Sequence, residues 1–89
     1  MLIALIAKDK KDHLDVRKRN RDAHLAYLSA TGVVTQAGPF LDDEGQMCGS
    51  LLILDVFNME AAQAWVADDP YTHAGLFETV ELIAWNKVI

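Results

Sequence analysis

Residues 47–57 are apolar on both sides, and this constrains the fold more than any other feature of the chain. In an extended strand, side chains alternate between the two faces. That places Cys48, Ser50, Leu52, Leu54 and Val56 on one side and Met47, Leu51, Ile53 and Phe57 on the other. A last strand, roughly residues 78–89, repeats the pattern, with Val80, Leu82, Ala84 and Val88 opposite Ile83, Trp85 and Ile89. A sheet with one wet face alternates apolar and polar residues. Here neither face is polar, so both need cover.

The other elements complete a βαββαβ order. Residues 2–7, Leu-Ile-Ala-Leu-Ile-Ala, have the length and composition of a buried strand. Asp12 offers a cap for a helix running to Ala30 and ending at Gly32. Residues 33–40 read as a second strand, joined to the third by the polar turn Asp42-Asp43-Glu44-Gly45. Asn58 caps a short helix over residues 59–68, which Pro70 stops, and a loop over 69–75 leads to the last strand. The expected class is α+β, a ferredoxin-like βαββαβ sandwich with two helices on one face of an antiparallel sheet. Two helices leave the second face bare. A second copy of the sheet would shelter it, so a homodimer through the open face is expected.

At 89 residues the chain has room for one domain, residues 1–89, and its 52% hydrophobic content calls for a packed core. The net charge of −5 argues against nucleic acid as a partner, because phosphate binding needs a basic surface. The basic residues Lys8, Lys10, Lys11, Arg17, Lys18, Arg19 and Arg21 do cluster near the amino end; they read as a solvated helix face or as an anion-attracting site. Cys48 is the only cysteine, which rules out an internal disulfide and a zinc cluster, and no metal site is expected. No apolar stretch has the length of a membrane span and no signal-peptide pattern is present, so a cytoplasmic protein without a membrane partner is expected.

Several residues break their local rules. Leu14, Leu25 and Leu28 form an apolar stripe on the first helix, yet Arg21 falls within it and His24 at its edge. Arg17 continues this ridge, although its long stem, like that of Lys18, can carry its charge outward. A cation aimed at a core needs a partner. Asp68 and Asp69 sit at a helix carboxyl end, where the dipole disfavours them, and Pro70 holds Asp69 extended. A buried His24 or Arg21 would compensate Asp69. The alternative is a simple turn. Gly38-Pro39 ends the second strand, and Gly49-Ser50 marks a bulge or a close backbone approach in the third. Ser50 either donates into a cavity or is satisfied within its strand. Tyr71 and Trp85 either pack or wall a pocket. His13 and His73 read as surface residues, Cys48 as core packing.

In their order and spacing, Arg21-x-x-His24-Leu25, Ala37-Gly38-Pro39, Gly49-Ser50, Asp69-Pro70-Tyr71, Ala74-Gly75-Leu76 and Val80-Glu81-Leu82-x-x-Trp85 resemble the YciI-like (YCII-related) proteins over nearly the whole chain. The resemblance implies a dimeric α/β-barrel with a His–Asp pair in a cleft. It maps that pair onto His24 and Asp69, with Arg21, Gly38 and Ser50 nearby; together with Tyr71 as a candidate pocket wall, these are the residues expected around a small-molecule ligand. One relative, in chlorinated-aromatic degradation, is a dehydrochlorinase, so lyase-like acid–base chemistry is implied.

The residue types fit such chemistry. Histidine exchanges protons near neutral pH, a carboxylate orients it, and an arginine holds an anion. The expected function is a proton transfer by His24 and Asp69 on a small anionic or phenolic molecule. No phosphate loop or nucleotide fingerprint points to a cofactor, and none is expected. Two other readings stay open. One is a non-catalytic ligand-binding module. The other is an accessory dimerisation module in which Arg21 and Asp69 form a buried ion pair and no cavity exists.

Overall fold

The computed structural model describes residues 1–89. In chain order the elements are β1 (Leu2–Asp9), α1 (Leu14–Thr31), β2 (Val34–Leu41), β3 (Met47–Asp55), α2 (Met59–Ala67), α3 (Pro70–His73) and β4 (Phe77–Ala84). The strands form one antiparallel sheet in the order β2-β3-β1-β4. Each crossover, β1-α1-β2 and β3-α2-β4, skips one intervening strand, which is the ferredoxin-like arrangement expected from the sequence.

Strand alternation decides where the core sits. Ile3, Leu5 and Ala7 of β1 and Leu52 and Leu54 of β3 share one face and pack against Ala62 and Trp65 of α2. Tyr27 and Leu28 of α1 extend this cluster. The polar tips of its aromatics are satisfied: Tyr27 Oη donates to the Trp65 carbonyl at 2.7 Å, and Trp65 Nε1 donates to Thr31 Oγ1 at 2.9 Å. No helix is long and apolar enough to cross a membrane.

Gly49 is required by a close approach. A Cβ there would lie well inside van der Waals contact with the Ala7 carbonyl oxygen and 3.1 Å from Phe40 Cδ2. Gly32 ends α1 in the left-handed region at φ 66°, where its N–H reaches the Leu28 carbonyl.

Some expectations need correction. Asp12 does not cap α1; it takes a left-handed φ of 60° in the turn, and His13 precedes the helix without a side-chain cap. Leu25 is exposed, and the buried residues of α1 are Arg17 and His24. Cys48 is also exposed. The β2–β3 register slips by one between Phe40 and Leu41, which pair with Gly49 and Met47, so Cys48 is left out of the ladder. β4 stops at Ala84. Trp85 N–H still reaches the Leu2 carbonyl, and the tail then lines a groove with Thr35 and Gln36 of β2.

Candidate active site

Four elements bring the site together. α1 supplies Arg17, Arg21 and His24, spaced by one turn or close to it, so all three face one end of the sheet. β3 supplies Ser50, on the same face as Leu52 and Leu54. β2 supplies a wall of Ala37, Gly38 and Pro39. The short α3 and the residue before it supply Tyr71 and Asp69. A cavity of about 90 Å³ lies between α1 and the sheet, lined on its polar side by Arg17, Arg21, His24 and Ser50. Leu28, Leu52 and the β2 wall make up most of its apolar side.

His24 and Asp69 are 5% and 1% exposed, and His24 Nδ1 lies 2.8 Å from Asp69 Oδ1. The same oxygen accepts the Tyr71 backbone N–H at 2.9 Å. A carboxylate only accepts, so Nδ1 carries the proton and Nε2 is left as the basic nitrogen. Nε2 has no protein partner, yet no buried side-chain polar atom is unsatisfied, so Nε2 opens on the cavity that His24 lines. The imidazole is held flat against the Tyr71 ring, with centroids 3.9 Å apart and planes 13° apart.

The placement of Asp69 corrects the sequence reading of a disfavoured helix-end charge. α2 ends at Ala67, and Asp69 is the N-cap of α3, with Pro70 in the first turn. There its charge meets the positive end of a helical turn rather than the negative one. Arg21 is not its partner. Arg21 stands exposed at the cavity rim with no carboxylate paired to it, so the Arg21–Asp69 ion pair of the accessory-module reading is absent. That reading also expected no cavity.

Arg17 is the residue the sequence reading underestimated. Its charge does not snorkel outward; the residue is 2% exposed. Nε and Nη2 donate to Asp9 Oδ2 and Oδ1 at 2.7 and 2.9 Å, and Nη2 also donates to Ser50 Oγ at 2.8 Å. The guanidinium lies 4.7 Å from the centre of the Tyr71 ring. Burial alone would lower the Arg17 pKa, but the hydrogen bonds and charge of Asp9 outweigh it, and the net direction is upward. Asp9 was legible in principle: it follows Ile3, Leu5 and Ala7 at period two, so an acid is aimed into the core side. Burial also pushes the Tyr71 phenol up, against the pull of Arg17 and Arg21 and with the help of Asp69 and Asp9.

Of the other residues singled out from the sequence, Ser50 and Gly38 line the cavity, Gly38 through its backbone. Tyr71 is buried behind the His24 ring and does not line it. No three His, Cys, Asp or Glu side chains gather as a metal site would need.

Known proteins resemble this chain over its full length. The family model for the YCII-related domain matches residues 1–86. Protein YciI of Escherichia coli O6:H1 is 39% identical, with 99% of each chain covered. An uncharacterized protein of Haemophilus influenzae is 34% identical over 99% of each. Among solved structures, 5-chloro-2-hydroxyhydroquinone dehydrochlorinase (TftG) from Burkholderia phenoliruptrix, in complex with 2,5-dihydroxybenzoquinone, superposes with a TM-score of 0.88 at 35% identity. That match covers 97% of this chain and 94% of the other. With one fold, full-length matches and identities above a third, the chain belongs to the YciI-like, YCII-related family.

Proposed function

We infer that the protein is a cofactor-independent, lyase-like acid–base enzyme in which His24, oriented by Asp69, moves a proton of a small anionic or phenolic molecule. The observation that carries this is the 2.8 Å bond from His24 Nδ1 to Asp69, which leaves Nε2 facing the cavity as a base. The likeness to a dehydrochlorinase supports the reaction class. In such an elimination Nε2 takes a proton from the substrate. The released electron pair forms a new π bond within the substrate, and the leaving group departs with its own bonding pair. The imidazolium then returns its proton to solvent, so H–X is lost in total.

The other residues have supporting parts. Arg21 at the rim attracts the anion, Ser50 donates to a substrate oxygen, and the Gly38 backbone forms the wall. Tyr71 keeps the imidazole in plane. The protein acts as a homodimer whose subunits meet through the open sheet face.

The test is His24→Gln, assayed for chloride release from halogenated hydroquinones and for binding of 2,5-dihydroxybenzoquinone. The expected result is a fall in turnover of roughly 10²-fold or more with affinity little changed. A wild-type protein that binds the quinone but turns over none of these compounds, with His24→Gln altering affinity alone, would make it a binding module instead.

A further inference from the structure

Ser50 is held from one side by a charged donor. Its Oγ accepts from Arg17 Nη2 at 2.8 Å, and a guanidinium can only donate. Arg17 cannot turn away, because Nε and Nη2 also grip both oxygens of Asp9 and the group lies over the Tyr71 ring. Facing this fixed donor, the Ser50 hydroxyl must send its own proton elsewhere. That proton meets no protein acceptor, and Ser50 lines the cavity. His24 Nε2 presents the opposite polarity to the same cavity. A ligand therefore meets a hydroxyl proton turned toward it and one basic nitrogen, with the unpaired Arg21 at the rim.

We propose that Arg17, clamped by Asp9, is a positioning residue that turns the Ser50 proton into the cavity, so that the site favours molecules bearing an anionic or carbonyl oxygen near the group that gives its proton to His24. Enolisable ketones, phenols with a neighbouring oxygen and hydroxyquinones have this pattern; amines do not. The inference rests on the acid–base reading of His24 for the proton and on geometry alone for the oxygen. Cavity size fits. An apolar cavity of about 150 Å³ holds benzene, so about 90 Å³ takes only the leading edge of a ring and its oxygens, leaving the rest at the mouth beside Arg21.

A binding experiment with two probes of one shape tests this. Para-nitrophenol, ionised at mildly alkaline pH, offers an acceptor oxygen where para-nitroaniline offers an amine. The full-length wild type should prefer the phenolate by roughly tenfold or more, the range for a hydrogen bond to a charged group. Ser50→Ala should reduce that preference by weakening the phenolate alone, leaving only the part that the charge of Arg21 supplies. Arg17→Lys keeps the charge but cannot hold Asp9 by a fork and Ser50 by the same group. It should weaken the phenolate by a similar factor, leave the aniline unchanged or tighter, and have no such effect in a Ser50→Ala background.

Equal loss for both probes in Arg17→Lys, or an effect that persists without Ser50, would overturn the proposal. So would a wild type indifferent between the probes. If Arg17→Lys fails to fold, Ser50→Ala decides: an unchanged preference sinks the idea. Equilibrium binding is read throughout, so an inactive wild type would defeat the catalytic reading while leaving this result to stand or fall separately.

Discussion

Asp69 serves two donors with one oxygen, so a single side chain caps α3 and sets the tautomer of His24. The two duties separate in Asp69→Asn. Asparagine caps as well as aspartate, but its amide can rotate to present N–H to the imidazole and favour the wrong tautomer. Thermal melting should therefore shift little, by about 0.5 kcal/mol or less, while turnover falls by roughly 10²-fold or more. A variant that melts like wild type and keeps full activity would remove the orienting role. The pairing of His24 with Asp69 was legible as two anomalies in search of each other: an imidazole at the edge of an apolar stripe and a carboxylate held by Pro70. The cap itself is hidden in the sequence because Asp68 and Asp69 together read as the end of α2, although Asp-Pro is also the signature of a turn beginning. Arg17 was missed for a different reason. Stem length permits snorkelling, and only the inward phase of Asp9 on β1 shows that a partner waits inside.

At the scale of elements, the strands were readable because period-two alternation is set by covalent geometry, and their ends were not because a strand lasts only while it has a neighbour. β1 begins at Leu2, opposite Asp55 of β3, and pairs Ile3 with Ala84 of β4. Phe57 and Val88 therefore have apolar strand-like composition but no ladder to join, and both are exposed. α1 is the element least like its sequence pattern. Its buried positions hold Arg17 and His24, so part of its attachment to the sheet is polar and specific. That attachment needs β1 and β3 close together beside Ser50, which Gly49 permits. Gly49→Ala should destabilise the fold by about 1–3 kcal/mol as an overpacked site does, measured by urea or thermal unfolding. Gly38→Ala, where an added Cβ meets nothing within 4 Å, should show no such loss. Equal stability of the two variants would mean that the strands part easily and that the close approach does not fix the site.

For the whole molecule the governing fact is the face turned away from the helices. Leu51 and Ile83, which alternate with the core residue Leu52 and with Leu82 packed against the core, are 40% and 47% exposed in the single chain. Exposed apolar side chains on this face are what the proposed homodimer would cover. The face is tied to the His24 cavity through β2. A groove of about 240 Å³ lined by Gln36, Phe40, Leu51 and Ile53 shares the Ala37–Gly38–Pro39 wall with the His24 cavity. In the proposed homodimer, covering that groove would also back the wall against which the substrate lies. The wild type should then sediment as a dimer at micromolar concentration. Leu51→Lys combined with Ile83→Lys should give a monomer with an unchanged circular-dichroism spectrum, since both side chains already reach solvent in the protomer and neither belongs to the core cluster. Burying an unpaired lysine in a dimer interface is strongly unfavourable, so two per subunit suffice to separate the chains. Ligand affinity should fall with dissociation, because the β2 wall loses its backing while His24, Asp69 and Ser50 are untouched. A wild type that is already monomeric, or a double variant that stays dimeric, would place the contact elsewhere and leave the sheet face to another role.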